Sequence, residues 1–361
     1  MKVAFLGDLI DNECITGQAR YAYYLITGLA NHGVDVTLLY SDLPGNSIFK
    51  NIKKDKYRIG QIPLINEYIK SKLANYKAGK FDVFHDTTNY GMPLGRSKAK
   101  KIISLHDIGT ARFPQYYRDY TKNKMNLVEK ILINTDAVIT ASEFQKKEIS
   151  ELYNISENKI FVVCHGIDTS KFTKTKDARL IDKEYVMYLG NLVPKKGIHY
   201  LLRAFNLIKN KIPHKLLLVG IRGFQSDTVF AMIDDLGLGS RVIVRENAED
   251  NEIINYLSYA SLFVYPSLYE GFGLPPLEAM ACGAPVITSN NTSLAEIYKD
   301  SAILVDPENV NELGDSIVTV LTDARLAEEL ILKGYNKVEQ FPWNNTIKAT
   351  LKVYEKVTGT F

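Results

Sequence analysis

The chain has 361 residues, a net charge of +3 at pH 7, and 46% hydrophobic and 24% charged residues. This length exceeds one typical core and suits two domains of about 150–180 residues. The charge balance gives no nucleic-acid signature, and no apolar run approaches the ~20 residues that a membrane span needs. The spacing of Cys14, Cys164 and Cys282 fits neither a disulfide framework nor a metal site, which favours reduced thiols and a cytoplasmic location.

The N-terminal half begins as a β-α-β unit. Residues 3–6 are continuously apolar, as in a buried parallel strand, and are too few for a signal peptide. A helix is predicted over 18–31 and a strand over 34–40, which indicates a parallel doubly wound sheet. Gly17 lies at the N-terminus of that helix, where backbone N–H groups can meet an anion. The loop lacks G-x-G-x-x-G, which argues against a nicotinamide or flavin dinucleotide.

Residues 50–80 are basic and irregular, and they end in a weakly amphipathic helix in which tyrosines alternate with lysines. The basic side chains are Lys50, Lys53, Lys54, Lys56, Arg58, Lys70, Lys72, Lys77 and Lys80. Two interpretations stay open. One is an ordinary solvated helix face; the other is peripheral contact with the inner face of an anionic membrane that carries a lipid-linked acceptor.

His106 directly follows a predicted strand over 101–105. Ligands bind beyond the carboxyl ends of strands in open α/β sheets, and a histidine there can bond a sugar hydroxyl. His106 is therefore a candidate functional residue. His85 and Asp86 also end a strand, and with residues 89–90 they are candidates for the acceptor side. Further strands over 136–140 and 160–164 complete this half.

A polar, lysine-rich stretch over 168–183 marks the domain boundary. A second parallel sheet begins at 185–189, and the sequence GNLVPKKG over 190–197 leads into a helix over 199–210. Lys195 and Lys196 thus add two positive side chains to a helix N-terminus, an arrangement that suits a diphosphate.

The most informative stretch is 261–289, which predicts a strand, a loop, a short helix from Pro275 that ends before Gly283, and a second strand. Gly271 and Gly273 let the loop backbone approach a ligand closely. The N-terminus of the helix suits a phosphorylated ligand. Glu278, one turn inside the helix, is better placed to accept hydrogen bonds from paired hydroxyls, as on a ribose.

This stretch, YPSLYEGFGLPPLEAMACGAPVITS, resembles the Glu-x7-Glu signature of the retaining glycosyltransferases of family 4, which have the GT-B fold. The segments TGQARYAYYL, SLHDIGTARFPQYY, ITASEFQKKEI and FPW are also similar to family segments, so the resemblance covers essentially the whole chain. It implies two Rossmann-like, doubly wound parallel-sheet domains that face across a cleft. The acceptor domain would comprise 1–168 with a crossing helix over 344–361, and the nucleotide-sugar domain 169–343.

The resemblance also implies roles for individual residues. His106 and Glu270 are expected to contact the transferred sugar and Lys196 the leaving diphosphate, as catalytic residues. The donor-binding residues implied are Gly17, Gly190, Asn191, Lys195, Lys196, Asn247, Gly271, Phe272, Gly273, Leu274 and Glu278. Asn191 departs from the pattern, because an arginine commonly follows that first glycine in the family. Neutralising the diphosphate is then left to the two lysines.

The predicted function is retaining transfer of a hexose from a nucleotide-diphosphate sugar to a glycan or lipid-linked glycan, with GDP-mannose as the favoured donor. No Asp-x-Asp pair occurs in the sequence, so neither a metal nor another cofactor is expected. The alternatives are a UDP-sugar-dependent enzyme of the same fold and a non-catalytic nucleotide-sugar-binding homologue, which Asn191 keeps open. An oxidoreductase lacks its dinucleotide fingerprint, and a glycogen-phosphorylase-like enzyme would need a pyridoxal-bearing lysine for which no sequence context exists.

Overall fold

The computed structural model describes residues 1–8, 10, 17–41, 44, 47–57, 67–89, 91–125 and 127–359, without the side chains of 67–70, 120, 124 and 125. Cys14, Arg58, Tyr90 and most of the loop before Gly17 therefore lie outside the described residues. The chain forms two compact units. The first comprises Met1–Ala111, Asp119–Gly166 and Trp343–Phe361, and the second comprises Arg112–Arg118 and Ile167–Pro342. The sequence-based limits of 1–168 and 169–343 stay predictions.

The first unit is built on a parallel sheet in the order β3-β2-β1-β4-β5-β6-β7. Its strands are β1 (Lys2–Leu6), β2 (Asp35–Tyr40), β3 (Lys53–Lys56), β4 (Val83–Asp86), β5 (Lys100–Ser104), β6 (Ala137–Thr140) and β7 (Ile160–Val162). Its helices in this part of the chain are α1 (Gly17–Asn31), α2 (Glu67–Ala78), α3 (Gly109–Arg112), α4 (Asp119–Met125), α5 (Val128–Ile133) and α6 (Glu143–Tyr153). The predicted doubly wound parallel sheet is confirmed.

Strand β3 was not predicted, because residues 41–80 carry no apolar alternation outside the helix. Its sequence is Lys-Lys-Asp-Lys, and it pairs with β2 at the edge of the sheet. Charged side chains are typical of edge strands, since they oppose pairing with another chain. Lys53 forms an ion pair with Asp35 on β2, with 2.6 Å between nitrogen and oxygen.

The second unit also has a parallel sheet, in the order β10-β9-β8-β11-β12-β13. Its strands are β8 (Tyr185–Leu189), β9 (Lys215–Gly220), β10 (Val242–Glu246), β11 (Leu262–Tyr265), β12 (Val286–Ser289) and β13 (Ile303–Val305). Its helices are α7 (Ile198–Ile208), α8 (Ser226–Asp235), α9 (Asp250–Ser258), α10 (Leu274–Ala281), α11 (Thr292–Tyr298), α12 (Val310–Thr322) and α13 (Ala324–Val338). Strand order reverses between β8 and β11, which is where open α/β sheets bind their ligands.

The last helix, α14 (Trp343–Thr358), packs within the first unit. Ile347 and Tyr354, which lie two turns apart on this helix, are 5% and 0% exposed. The helix lies close to α1, since a Cβ added at Gly28 would come within 2.2 Å of Ile347 Cδ1. Among the described residues, no helix combines the length and apolar character needed to cross a membrane.

Candidate functional site

The topology of the second unit places two predicted site loops side by side. One loop follows β8 and carries Lys195 and Lys196, and the other follows β11 and carries Glu270. Because β8 and β11 are adjacent and parallel, their carboxyl ends meet at the same edge of the sheet. A backbone hydrogen bond of 3.1 Å from Leu268 N to Lys195 O joins the two loops directly.

Lys196, Glu270 and Tyr265 form a buried polar cluster. Lys196 Nζ donates to Glu270 Oε1 at 2.5 Å and to Tyr265 Oη at 3.2 Å. Tyr265 Oη donates to the same carboxylate oxygen at 2.7 Å. Burial alone would raise the pKa of Glu270, but the charges of Lys196 and Lys195 hold that pKa below its usual value. Glu270 is therefore ionised near pH 7 and held in place by hydrogen bonds from Lys196 and Tyr265, which does not favour a role as a general acid.

Lys195 is held by aromatic side chains and is only 7% exposed. Its Nζ donates to Tyr117 Oη at 2.7 Å. The same ammonium lies 5.8 Å from the ring centroid of Tyr269. This distance is typical of a cation–π contact, which strengthens as the cation loses water. The two adjacent lysines therefore have different partners: a carboxylate for Lys196 and tyrosine side chains for Lys195.

The loop that follows Glu270 leads directly into the N-terminus of α10. Ser293 Oγ donates to Glu270 O at 2.8 Å, and Tyr298 Oη donates to Gly273 O, so α11 fixes the loop backbone. Gly273 has a φ of +88°, and a Cβ there would lie 2.5 Å from a Leu294 methyl carbon. The predicted short helix is confirmed as Leu274–Ala281. Its N-terminal N–H groups and partial positive charge lie beside this loop.

The other residues predicted to bind the donor lie on α10, in the loop before it, and in the turns after β8 and β10. Glu278 is on α10 and is 7% exposed. Gly271 and Phe272, which directly follow Glu270 in the chain, are buried. Asn191 is exposed, and its carbonyl accepts from Tyr188 Oη at 2.9 Å. Their roles in binding stay predictions.

Asn247 follows β10 at the same carboxyl edge. It is exposed, has a φ of +55°, and its backbone N–H donates to Gly220 O at 3.3 Å. Gly220 in turn contacts the turn after β8, since a Cβ on it would come within 1.8 Å of Gly190 O. The backbones of these turns are thus in direct contact.

In the first unit, His106 is held from two sides. Its backbone N–H donates to Asn89 Oδ1 at 2.7 Å, and its Nε2 lies 2.9 Å from Thr87 O. A carbonyl can only accept, so this bond requires the proton on Nε2. The ring also packs edge-on against Tyr21, with 4.5 Å between centroids. Burial lowers the pKa of His106 to about 4, so the ring is neutral near pH 7.

Gly17 opens α1, as predicted. A Cβ added to it would meet no described atom within 4 Å, so sterics within the described part of the chain do not require a glycine there. Its predicted contact with a donor phosphate stays a prediction.

Sequence reasoning missed two tyrosines of the second unit. Tyr265 is the last residue of β11, and the strand-end rule that selected His106 would also have selected it. Tyr117 gave no local signal, because it lies 78 residues from Lys195 in the chain. In the residues that the structure describes, no three His, Cys, Asp or Glu side chains are grouped to hold a metal ion. Metal independence stays a prediction.

Two family models match adjoining parts of the chain. The model described as Glycosyltransferase Family 4 matches residues 15–171, and that described as Glycosyl transferases group 1 matches residues 171–337. Among curated proteins, the O-antigen chain mannosyltransferase B of Escherichia coli is 28% identical over 78% of this chain and 76% of its own length. An O-antigen chain mannosyltransferase of Salmonella typhimurium is 31% identical over 64% of this chain and 65% of its own.

Solved structures share the fold over the whole chain. A sucrose-phosphate synthase from Thermosynechococcus elongatus superposes with a TM-score of 0.80 at 22% identity, covering 100% of both chains. The Anabaena HepE protein in complex with UDP and glucose gives 0.77 at 17% identity, covering 99% of this chain and 100% of its own. With both sheets parallel and both models matched, the chain belongs to the family 4 glycosyltransferases of the GT-B fold.

Proposed function

We propose that this glycosyltransferase moves mannose from GDP-mannose to a glycan or lipid-linked glycan, with retention of anomeric configuration and without a metal ion. The observation that carries the proposal is the buried cluster of Lys196, Glu270 and Tyr265 beside the N-terminus of α10. The similarity to O-antigen mannosyltransferases supports the choice of sugar.

In this proposal the diphosphate lies against Lys195, Lys196 and the first turn of α10. Both lysines are side chains of low exposure, so their charges act in a medium where electrostatic interactions are stronger than in water. Glu278 accepts hydrogen bonds from the ribose hydroxyls. Glu270 accepts from hydroxyls of the sugar, since the charges of Lys196 and Lys195 keep its carboxylate ionised and the hydrogen bonds from Lys196 and Tyr265 hold it in place.

The bond that breaks joins C1 of the sugar to the terminal phosphate oxygen, and the new bond joins C1 to the acceptor oxygen on the same face. The acceptor proton passes to the departing phosphate oxygen, so no protein nucleophile is needed. The lysines and the helix N–H groups stabilise the charge that develops on this oxygen. Each preorganised group of this kind typically lowers the activation barrier by about 3–4 kcal/mol.

The test is thermal stabilisation of the protein by GDP, UDP, ADP and dTDP, each with and without EDTA. A ligand at 100 times its Kd stabilises by about 2.7 kcal/mol, which is readily measured. We expect GDP to give the largest shift, EDTA to leave it unchanged, and Glu278→Ala to abolish it. Glu328→Ala, which changes an exposed glutamate on α13, serves as the matched control.

The outcomes separate the alternatives. A larger shift with UDP would replace the guanosine donor by a uridine donor on the same fold. A shift that EDTA abolishes would contradict metal independence. A shift without sugar transfer to any acceptor would favour the non-catalytic homologue, and no shift with any nucleotide would contradict both proposals. For the stereochemical part, product formed with inverted anomeric configuration, read by proton NMR, would overturn retention.

A specific observation favours a second proposal, that the first unit contacts anionic membranes. A groove of about 930 Å³ lies between α2 and the turn that precedes β5. Of its described lining residues, four are basic and none is acidic: Lys72, Asn75, Tyr76, Gly79, Lys80, Leu94, Gly95, Arg96, Ser97 and Lys98. Tyr76 is 77% exposed and Leu94 38% exposed. Basic residues around exposed aromatic and apolar side chains are typical of membrane-surface contacts.

If the first unit contacts anionic membranes, we expect the protein to co-sediment with vesicles that contain phosphatidylglycerol but not with pure phosphatidylcholine vesicles. Each basic residue near an anionic surface contributes about 1 kcal/mol, so losing the positive charges of Lys72 and Lys80 in the pair Lys72→Glu and Lys80→Glu should weaken partitioning by at least about 30-fold. The pair Lys348→Glu and Lys352→Glu, exposed on α14 of the same unit, makes the same change in net charge and is the control. Equal losses in both pairs would reduce the effect to net charge and refute a defined surface.

A further inference from the structure

A short segment from the first half of the sequence, Arg112–Arg118, is part of the second unit, although the chain on either side of it belongs to the first. Three of its residues contact the second unit. The ring of Phe113 lies 5.8 Å from that of Tyr269, and Gln225 Nε2 donates to Gln115 O at 3.3 Å. The third contact is the hydrogen bond of 2.7 Å from Lys195 Nζ to Tyr117 Oη.

We propose that Tyr117 is a positioning residue of the donor site, which holds the ammonium of Lys195 where it meets the nucleotide diphosphate. The inference rests on the proposed function, because it assumes that Lys195 binds a diphosphate. The proposal adds Tyr117, a residue from the first half of the sequence, to the donor site.

The contacts of Lys195 show how the positioning works. A lysine side chain has four rotatable carbon–carbon bonds and loses much freedom when its ammonium is fixed. Here the hydroxyl of Tyr117 and the ring of Tyr269 contact that ammonium. Tyr269 directly precedes Glu270, so the loop that carries the carboxylate also helps to hold Lys195.

The hydroxyl of Tyr117 provides direction that the ring of Tyr269 alone does not. A cation over a ring face can slide across it with little change in energy, whereas a hydrogen bond fixes both distance and angle. An ammonium has three N–H donors, so a bond to the phenol oxygen is compatible with bonds to phosphate oxygens. Tyr117 therefore fixes the ammonium before the donor arrives.

Tyr117→Phe tests this role, because it removes the hydroxyl and keeps the ring. The measurement is the Kd of GDP and of GMP by calorimetry, with UDP and UMP as a second pair. We expect the Kd of the diphosphate to rise about tenfold or more, the effect typical of losing one hydrogen bond to a charged group. The Kd of the monophosphate should change less than twofold. The midpoint of thermal unfolding without ligand should fall, because a buried ammonium loses a hydrogen bond, but the variant should stay folded at the temperature of the measurement.

Tyr116→Phe is the matched control, since it makes the same chemical change one residue earlier in the same segment and should leave both Kd values unchanged. Tyr117→Leu removes the ring as well and should weaken the diphosphate at least as much as Tyr117→Phe. Equal weakening of diphosphate and monophosphate, or no weakening, would overturn the positioning role while leaving nucleotide binding intact. If the wild-type protein bound none of these nucleotides, the proposed function itself would fall, and this role with it.

Discussion

Replacing Lys196 by methionine is expected to lower kcat/KM for sugar transfer by about 10²–10³, the effect typical of losing one preorganised group that stabilises a developing oxyanion. Methionine preserves the length and apolar stem of the side chain but removes its charge. The Kd of the nucleoside diphosphate should rise as well, because the same charge contacts the diphosphate in the ground state. Steady-state kinetics with isotopically labelled donor and calorimetry with the nucleotide measure the two effects.

Glu270→Gln separates the two partners of the ion pair. Because Glu270 is assigned to the sugar, this change should lower kcat while leaving the Kd of the nucleoside diphosphate within about threefold, a shift below 1 kcal/mol.

Lys196→Met should also lower the free energy of unfolding. It leaves a buried carboxylate without its closest cation, and breaking a buried pair typically destabilises by about 3–5 kcal/mol. Tyr265 still donates a hydrogen bond to Glu270 and the charge of Lys195 still acts on it, so the loss in free energy of unfolding should be about 3 kcal/mol or less.

The pH dependence gives an independent check of the same pair. In the wild type the charges of the two lysines hold the pKa of Glu270 below its usual value, against the effect of burial. Its ionised form therefore stabilises the fold above the unfolded-state pKa, and this contribution is lost as pH falls through the lower folded-state value. In Lys196→Met burial remains and one cation is gone, so that pKa rises. The acid limb of activity should then shift to higher pH; an unchanged limb would contradict the assignment.

Much of the fold could be predicted from the sequence because its signals are local. Most of the parallel strands contain a short apolar run, and the ends of the short helix after β11 are marked by Pro275 and Gly283. Strand β3 has no such signal, since its four charged residues form a strand only because the edge of β2 is available to pair with them. Pairing at an edge depends on the neighbouring strand, which a local pattern does not record.

The candidate site was predictable where it depends on single loops and not where it depends on contacts between distant segments. Lys195, Lys196 and Glu270 follow strands that the sequence indicates clearly, so the adjacency of β8 and β11 brings them together. The ion pair between Lys196 and Glu270 could not be read from the sequence, because it needs the strand order. The contact of Tyr117 with Lys195 could not be predicted either, because it depends on the seven-residue segment Arg112–Arg118 being part of the second unit.

Gly197→Ala is expected to destabilise the second unit by about 2–4 kcal/mol, from an unfavourable backbone conformation combined with steric overlap. Gly197 has a φ of +70°, which L residues rarely adopt, and a Cβ there would lie 1.8 Å from Pro266 O. The obstructing atom is backbone, so no side chain can rotate away. Urea unfolding measures the loss, and Gly239→Ala, where a Cβ meets no described atom within 4 Å, should stay within about 0.5 kcal/mol of wild type.

The position of Gly197 also makes this substitution a test of how the two loops are joined. It follows Lys196, caps the N-terminus of α7, and touches the first residue after β11. Accommodating a methyl group there must separate the loop of the lysines from the loop of Glu270. Nucleoside diphosphate binding should therefore weaken even at temperatures where the variant is fully folded. A variant that unfolds earlier but binds as wild type would show that the close contact at Gly197 supports the fold alone, and that the lysines keep their place without it.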